Sequence, residues 1–246
     1  MKIKLEKEER IDDLQYKGLK IIQNTKGFCY GIDSVLLTDF AKKIKPNSEV
    51  LDLGTGNGIL GILLCGKTKL KKIIGIEIQQ EVYNLAQKNI KYNQLEERFK
   101  VICENIKNIS KIYKKNTFDV IVTNPPYMKA GRGLKNEERT KLIARHEIEC
   151  DLEDVLKASY EVLKEKGEFY MVHRANRIVD ILYFMRLYKI EPKIIQFVQP
   201  SYDKEPKLVL VKGIKNAGEF LKIQKNLVIY KEDGTYTEEL LKIYNG

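Results

Sequence analysis

Apolar and polar positions alternate along the chain in two distinct rhythms. Short runs rich in Val, Ile and Leu recur at Glu49 to Leu53, Ile73 to Ile78, Lys100 to Cys103 and Phe118 to Thr123, and again at Glu168 to Val172, Ile194 to Val198 and Leu208 to Lys212. Runs of that length and composition predict strands. Between them the apolar positions fall three and four apart, the period of a helix with one buried face. Ile59 to Gly66 predicts one such helix. Glu81 to Asn93 predicts another, through Val82, Leu85, Ala86, Asn89 and Ile90. Asp151 is placed to cap a third helix reaching Leu163, with Leu152, Val155, Leu156, Ser159 and Val162 along one side and Gly167 expected to end it. A fourth is expected around Asn176 to Tyr188. Strands alternating with helices predict a doubly wound, mostly parallel α/β sheet, whose ligands sit outside the carboxyl ends of the strands.

Composition narrows the class. A chain of 246 residues with 43% hydrophobic and 32% charged residues is long enough for one α/β domain with a small extension. No apolar run approaches the roughly 20 residues that span a bilayer, and the first residues lack the apolar stretch of a secretory signal, so a cytoplasmic protein without membrane contact is expected. Cys29, Cys65, Cys103 and Cys150 match no zinc spacing, and with two histidines no metal centre is expected. The net charge of +10 suits an anionic partner such as nucleic acid, although a Lys-rich surface alone produces the same figure. Nothing in the pattern fixes an oligomeric state.

Two stretches carry candidate chemistry, and both fall at predicted strand ends. The first is VLDLGTGNGILG, Val50 to Gly61, which places Gly56, Gly58 and Gly61 between a strand and a helix. Glu77, ending the next strand, is positioned for ribose hydroxyls. A nicotinamide dinucleotide fits that much. Asp52 does not fit it, because a carboxylate two residues before the first loop glycine repels a pyrophosphate. S-adenosylmethionine, with an ammonium and a sulfonium, suits the acid and still offers a ribose to Glu77.

The second stretch, FDVIVTNPPYMKAGRG, runs from Phe118 to Gly133. Pro125 and Pro126 donate no backbone hydrogen bond and close the strand. Residues preceding proline are held extended, which stiffens Asn124 and Pro125. The Asn124 side-chain oxygen and the Pro125 carbonyl are two acceptors suited to an exocyclic amine, whose charge builds as it attacks a methyl group. Tyr127 can stack on a base, a contact worth about 1–3 kcal/mol.

Taken together, Asp52-Leu-Gly-Thr-Gly-Asn-Gly58 and Asn124-Pro-Pro-Tyr127 resemble the class I S-adenosylmethionine-dependent amino-methyltransferases. Their substrates include adenine N6 and guanine N2 in RNA, adenine N6 in DNA, and a glutamine of release factors. FCYGIDSVLL from Phe28, ARHEIECDLEDVL from Ala144, VHR from Val172 and IEPKIIQFVQP from Ile190 narrow the likeness to the bacterial valine-tRNA adenine-N6 methyltransferases, from about Arg10 to the C-terminus. The resemblance implies a Rossmann-like, seven-stranded, mostly parallel sheet with a C-terminal antiparallel strand. It also implies methylation of the purine 3′ of the anticodon, position 37, in the anticodon stem-loop of valine tRNA. A domain at 31–246 after an N-terminal extension or flap at 1–30 is expected, Tyr16 to Ile22 beginning the flap.

By the same resemblance, the catalytic residues are Asn124, Pro125, Pro126 and Tyr127. Cofactor contacts fall at Gly31, Asp33, Asp52, Gly54, Gly56, Asn57, Gly58, Glu77, Ile78, Glu104, Asn105, Ile106 and Asn124. One departure concerns the cofactor's adenine. Related enzymes commonly place an acid after the third strand, where this chain has Asn105 preceded by Glu104, and either side chain can accept from the adenine amine. Lys129, Arg132, Arg139 and Arg145, with Lys135 and Lys141, form a basic set beside the catalytic edge that suits RNA phosphates, and Arg174 faces the same edge. His146 and Glu147 read as a structural pair anchoring that loop. The alternatives are a release-factor glutamine methyltransferase, a guanine-N2 RNA methyltransferase and a non-catalytic RNA-binding scaffold. The first is disfavoured by the short segment before Gly31 and the basic charge. The scaffold is disfavoured because it has no use for intact glycines, Glu77 and Asn124 together.

Overall fold

The computed structural model describes residues 5–25, 31–125 and 151–245. A small antiparallel hairpin comes first, β1 (Glu9–Asp13) and β2 (Lys20–Asn24), paired from Glu9 opposite Asn24 to Asp13 opposite Lys20. Helix α1 (Ile32–Phe40) then leads into the alternating core. That core runs through β3 (Glu49–Leu53), α2 (Ile59–Lys67), β4 (Lys72–Glu77), α3 (Gln80–Tyr92), β5 (Phe99–Cys103), the short α4 (Ile109–Ile112) and β6 (Phe118–Thr123). After it come α5 (Leu152–Val162), β7 (Leu163–Arg174), α6 (Ile178–Leu187), β8 (Ile190–Gln199) and β9 (Leu208–Lys215). The described chain ends with β10 (Lys222–Ile223), β11 (Leu227–Val228) and α7 (Glu238–Asn245).

Among the described residues, nine strands form one sheet in the order β10-β8-β9-β7-β6-β3-β4-β5, with β11 also on β8. The seven expected strands are all there, and the two-residue β10 and β11 widen the edge. β5, β4, β3, β6 and β7 are mutually parallel, whereas β9 runs antiparallel between β7 and β8. Alternate residues divide the core into two layers, as a sheet covered on both faces requires. Val50, Ile73, Val120, Val122 and Tyr170 pack with α1, α2, α3 and α7. Leu51, Ile74, Ile121, Phe169 and Met171 pack against α4, α5 and α6.

One expectation fails locally. Gly167 does not end a helix. α5 is capped by Asp151, which accepts from the Asp154 amide at 2.9 Å while Asp154 accepts in return from the Asp151 amide at 3.1 Å. It stops at Val162, and β7 begins at once. Between the pairs Phe118–Leu163 and Val120–Glu168, β6 advances two residues and β7 five, so the intervening residues bulge out. Gly167 lies in that bulge because a Cβ there would press on the Leu163 side chain at 2.7 Å and the Lys164 carbonyl at 2.8 Å. Lys215 repairs the interrupted bonding. Its ammonium, on a side chain only 5% exposed, donates to the Leu163 carbonyl at 2.7 Å, the Tyr160 carbonyl at 2.9 Å and Asn116 Oδ1 at 3.2 Å. Burial holds that amine below the ordinary lysine range.

Candidate active site

The carboxyl ends of four adjacent strands converge on one edge. Leu53 of β3 lies opposite Ile76 of β4 and Thr123 of β6, and Glu77 lies opposite Cys103 of β5. The Thr123 hydroxyl donates to the Leu53 carbonyl at 2.8 Å and locks the ends of β3 and β6 together. The loops that follow β3, β4 and β5, and Asn124 after β6, leave from this edge.

The loop after β3 needs its glycines for two different reasons. Gly54, Gly56 and Gly58 have φ of 73°, 58° and 86°, the left-handed region that costs other residues free energy. A Cβ at Gly54 or Gly56 would meet nothing within 4 Å, so the backbone there borders open space. Gly61 serves packing instead, since a Cβ there would sit 2.4 Å from the Phe99 ring. The Gly54 and Thr55 amides both donate to the Ile76 carbonyl, at 3.0 and 2.9 Å, folding the loop over β4. Gly75 makes room for it, because a Cβ on β4 would lie 2.7 Å from the Thr55 side chain.

Two carboxylates flank that loop, both almost wholly buried. Asp52 is 1% exposed and accepts from the Thr55 hydroxyl at 2.6 Å. Burial pushes its carboxyl up to about 7, and the neighbouring Glu77 charge pushes the same way against the Thr55 bond. Glu77 accepts from the Gly56 amide at 3.0 Å with one oxygen and from the Gln79 amide at 2.9 Å with the other. It therefore shapes the glycine loop from below while its remaining lone pairs stay available as acceptors. Two buried acids beside a loop whose Gly54, Thr55 and Gly56 amides are already satisfied fit a ligand with a cationic group and a ribose, and disfavour a pyrophosphate.

At the end of β5, Glu104 Oε1 accepts from Asn108 Nδ2 at 3.0 Å and from the Asn105 amide at 2.7 Å. These bonds hold its carboxyl below the usual range, the Asn108 contact most. Asn105 Oδ1 accepts from the Lys107 amide at 2.9 Å and so caps the turn of 3-10 helix at Ile106–Asn108. Ile106 is buried with the α5 layer, and the Ile78 carbonyl accepts from the Cys103 thiol at 3.7 Å.

Asn124 follows β6 directly and is half-buried, and Pro125 is buried behind it. Its Nδ2 donates to the Ser34 hydroxyl at 3.2 Å, which turns Oδ1 the other way. Ser34 is 3% exposed in the first turn of α1, beside Gly31 and Asp33. No capping residue or capping motif in the sequence marks α1 or Ser34, although Ile32, Val35 and Leu36 have helical spacing. Arg174 is exposed where β7 ends, and its amide donates to His173 Nδ1 at 2.8 Å. His173 is 3% exposed, and burial, aided by the Arg177 charge, pushes it down to about 4. Pro126, Tyr127, Lys129, Arg132, Lys135, Arg139, Lys141, Arg145, His146 and Glu147 lie outside the described residues. Among the described residues no group of three or more His, Cys, Asp or Glu is arranged to hold a metal ion, and no helix is long and apolar enough to cross a membrane.

Comparison with known proteins agrees with this geometry. A family model described as a methyltransferase domain matches residues 44–207. A tRNA1(Val) (adenine(37)-N6)-methyltransferase of Porphyromonas gingivalis is 25% identical over 239 residues, covering 94% of this chain and 93% of that protein. One of Haemophilus influenzae bearing the same name is 28% identical over 237 residues, covering 93% and 94%. Among solved structures, a "predicted O-methyltransferase" of Agrobacterium tumefaciens superposes with a TM-score of 0.69 at 17% identity, covering 87% of this chain and 95% of that one. M. jannaschii TYW2 in complex with AdoMet gives 0.57 at 16% identity, covering 86% and 88%. The glycine loop, its two buried acids and Asn124 just after β6 share one sheet edge, and the chain belongs to the methyltransferase-domain family.

Proposed function

We propose that this chain is a tRNA methyltransferase that uses S-adenosylmethionine to methylate the N6 amine of an adenosine in the anticodon loop, position 37 of valine tRNA. The observation that carries the chemistry is the pairing of the buried Asp52 and Glu77 on the glycine loop with Asn124 at the end of the strand next to β3. The substrate is supported by the relatives' name and by their alignment over more than nine-tenths of both chains.

When bound, the cofactor supplies an electrophilic methyl group on a sulfonium sulfur. Asp52 and the loop from Gly54 to Gly58 hold its amino-acid end, assisted by Gly31 and Asp33 at the start of α1. Glu77 holds the ribose hydroxyls. Glu104 is the acceptor for the adenine amine, because a carboxylate keeps lone pairs on its second oxygen beyond the two bonds at Oε1, whereas the single Asn105 oxygen caps a turn; Ile78 and Ile106 line the adenine's surroundings. Asn124 Oδ1, aimed by Ser34, and the Pro125 carbonyl accept hydrogen bonds from the two amine N–H groups of the target base and favour the positive charge that develops there. No general base is required, since the proton can leave after transfer. Pro126 stiffens the motif, Tyr127 stacks on the base, and Lys129, Arg132, Arg139, Arg145 and Arg174 meet phosphates. An anticodon loop presents bases already partly unstacked, which lowers the cost of extrusion.

The test is methyl transfer from S-adenosylmethionine to an unmodified valine tRNA transcript, followed by nucleoside mass spectrometry. N6-methyladenosine at one loop position is the expected product. Methylguanosine, or transfer to a release factor with none to tRNA, would overturn the reading.

A further inference from the structure

Helix α3 holds the N-terminal hairpin in an unusual way. Asn89 and Asn93, one helical turn apart, meet the backbone of β2 with their side-chain amides. Asn89 Oδ1 accepts from the Ile22 amide at 2.6 Å, and its Nδ2 donates to the Ile22 carbonyl at 3.0 Å. Asn93 repeats the pattern at Lys20, at 2.9 and 2.7 Å. Residues 20 and 22 point their backbone groups to the same side, where a neighbouring strand would pair. Two side chains on a helix thus take the place of that strand and cover an otherwise open edge. Lys88, beside Asn89, pairs with Glu9 of β1 and fastens the other strand.

Asn89 does one thing more. It is fully buried, and its Nδ2 also donates at 2.9 Å to the carbonyl of Asn57, between Gly56 and Gly58 in the candidate cofactor loop. A single side-chain amide therefore joins the hairpin to that loop. If the hairpin leaves, Asn89 loses the two bonds that fix its rotamer. The Asn57 carbonyl then loses its fixed donor, in a place where an unmade bond is costly.

We propose that Asn89 is a positioning residue that couples docking of the β1–β2 hairpin to cofactor binding, resting on the reading that the Gly54–Gly58 loop holds S-adenosylmethionine. Coupling between two sites is reciprocal: the cofactor must steady the hairpin by the same factor that the hairpin steadies the cofactor. The hairpin is then a component of the cofactor site, although none of its residues need touch the ligand.

The experiment measures hydrogen exchange in the full chain with and without S-adenosylhomocysteine, together with its binding constant. Exchange at the amides of Lys20 and Ile22 should slow about fivefold or more on binding, within the usual range of such couplings. Asn93→Ala loosens the hairpin without removing any bond to the glycine loop, and it should weaken S-adenosylhomocysteine by a similar factor. Lys88→Ala provides the same test from β1 if Asn93→Ala does not fold. Binding by the wild type with unchanged exchange at Lys20 and Ile22 would overturn the coupling while leaving the cofactor reading intact. So would a loosened hairpin with wild-type affinity. A wild type that binds no S-adenosylhomocysteine would overturn both.

Discussion

Asp52 should make cofactor binding depend on pH in a direction fixed by its burial. Its carboxyl is pushed up to about 7, so the empty protein holds a proton there through much of the neutral range. An ammonium needs the ionised form. Binding must then release that proton, and affinity should rise with pH until the carboxyl is ionised without help. With a midpoint near 7, roughly one molecule in ten is ionised at pH 6 and roughly nine in ten at pH 8. The ratio predicts about tenfold tighter binding at the higher pH, or about 1.4 kcal/mol. Calorimetry with S-adenosylhomocysteine, in two buffers of different protonation enthalpy, reads both quantities. Proton release should approach one near pH 6 and vanish near pH 8, and Asp52→Asn should abolish it. Stability of the empty protein runs the opposite way. Between about pH 4 and 7 the folded chain binds more protons than the unfolded one, so stability falls as pH rises, by up to about 1.4 kcal/mol per pH unit from this group. A flat affinity from pH 6 to 8, or proton uptake on binding, would refute the argument.

Asn124→Ala should bind cofactor and tRNA nearly as wild type while single-turnover methyl transfer falls about 100- to 1,000-fold. Ser34→Ala, which removes one neutral hydrogen bond of about 1 kcal/mol, should slow the same step by about fivefold and leave both affinities unchanged. Gly61→Ala drives a Cβ into the Phe99 ring and should cost about 1–3 kcal/mol in urea denaturation. Lys215→Met strands the carbonyls of Tyr160 and Leu163 and should lose a further 1–3 kcal/mol or so by the same measurement. Lys129→Ala, Arg132→Ala and Arg139→Ala combined should weaken tRNA binding and flatten its salt dependence, which filter binding from 50 to 200 mM salt measures.

The strands and the two motifs were legible because each obeys a local rule. Val120 to Val122, closed by two prolines, reads as a buried strand, and the turn from Asp52 to Gly58 advertises its backbone geometry through its glycines. Elements governed by distant partners were not legible. β1 reads as a charged stretch, Glu-Arg-Ile-Asp-Asp, and becomes a strand only because β2 lies beside it and Lys88 reaches Glu9. Gly167 resembles a helix terminator, yet its role depends on the register between β6 and β7 and on Lys215, far along the chain. In the sequence Asn89 is one position on a helical face; its partners at Ile22 and Asn57 are contacts that no local pattern encodes. Ser34 belongs with these, since its significance lies in a residue 90 positions away.

The antiparallel β9 has a consequence for synthesis. β8 leaves the ribosome before β9, yet its place in the main sheet is made by β9, which also completes β7 from Glu168 to Arg174. Until Leu208–Lys215 emerges, β7 exposes a bare edge carrying Tyr170, Met171 and Val172, all buried in the finished protein, and β8 waits beside it unpaired. Such edges recruit other chains. A nascent chain paused in this window is therefore at its most aggregation-prone just before its sheet closes. Polypeptides stopped after Gln199 should pellet on centrifugation, and extension to Lys215 should restore solubility.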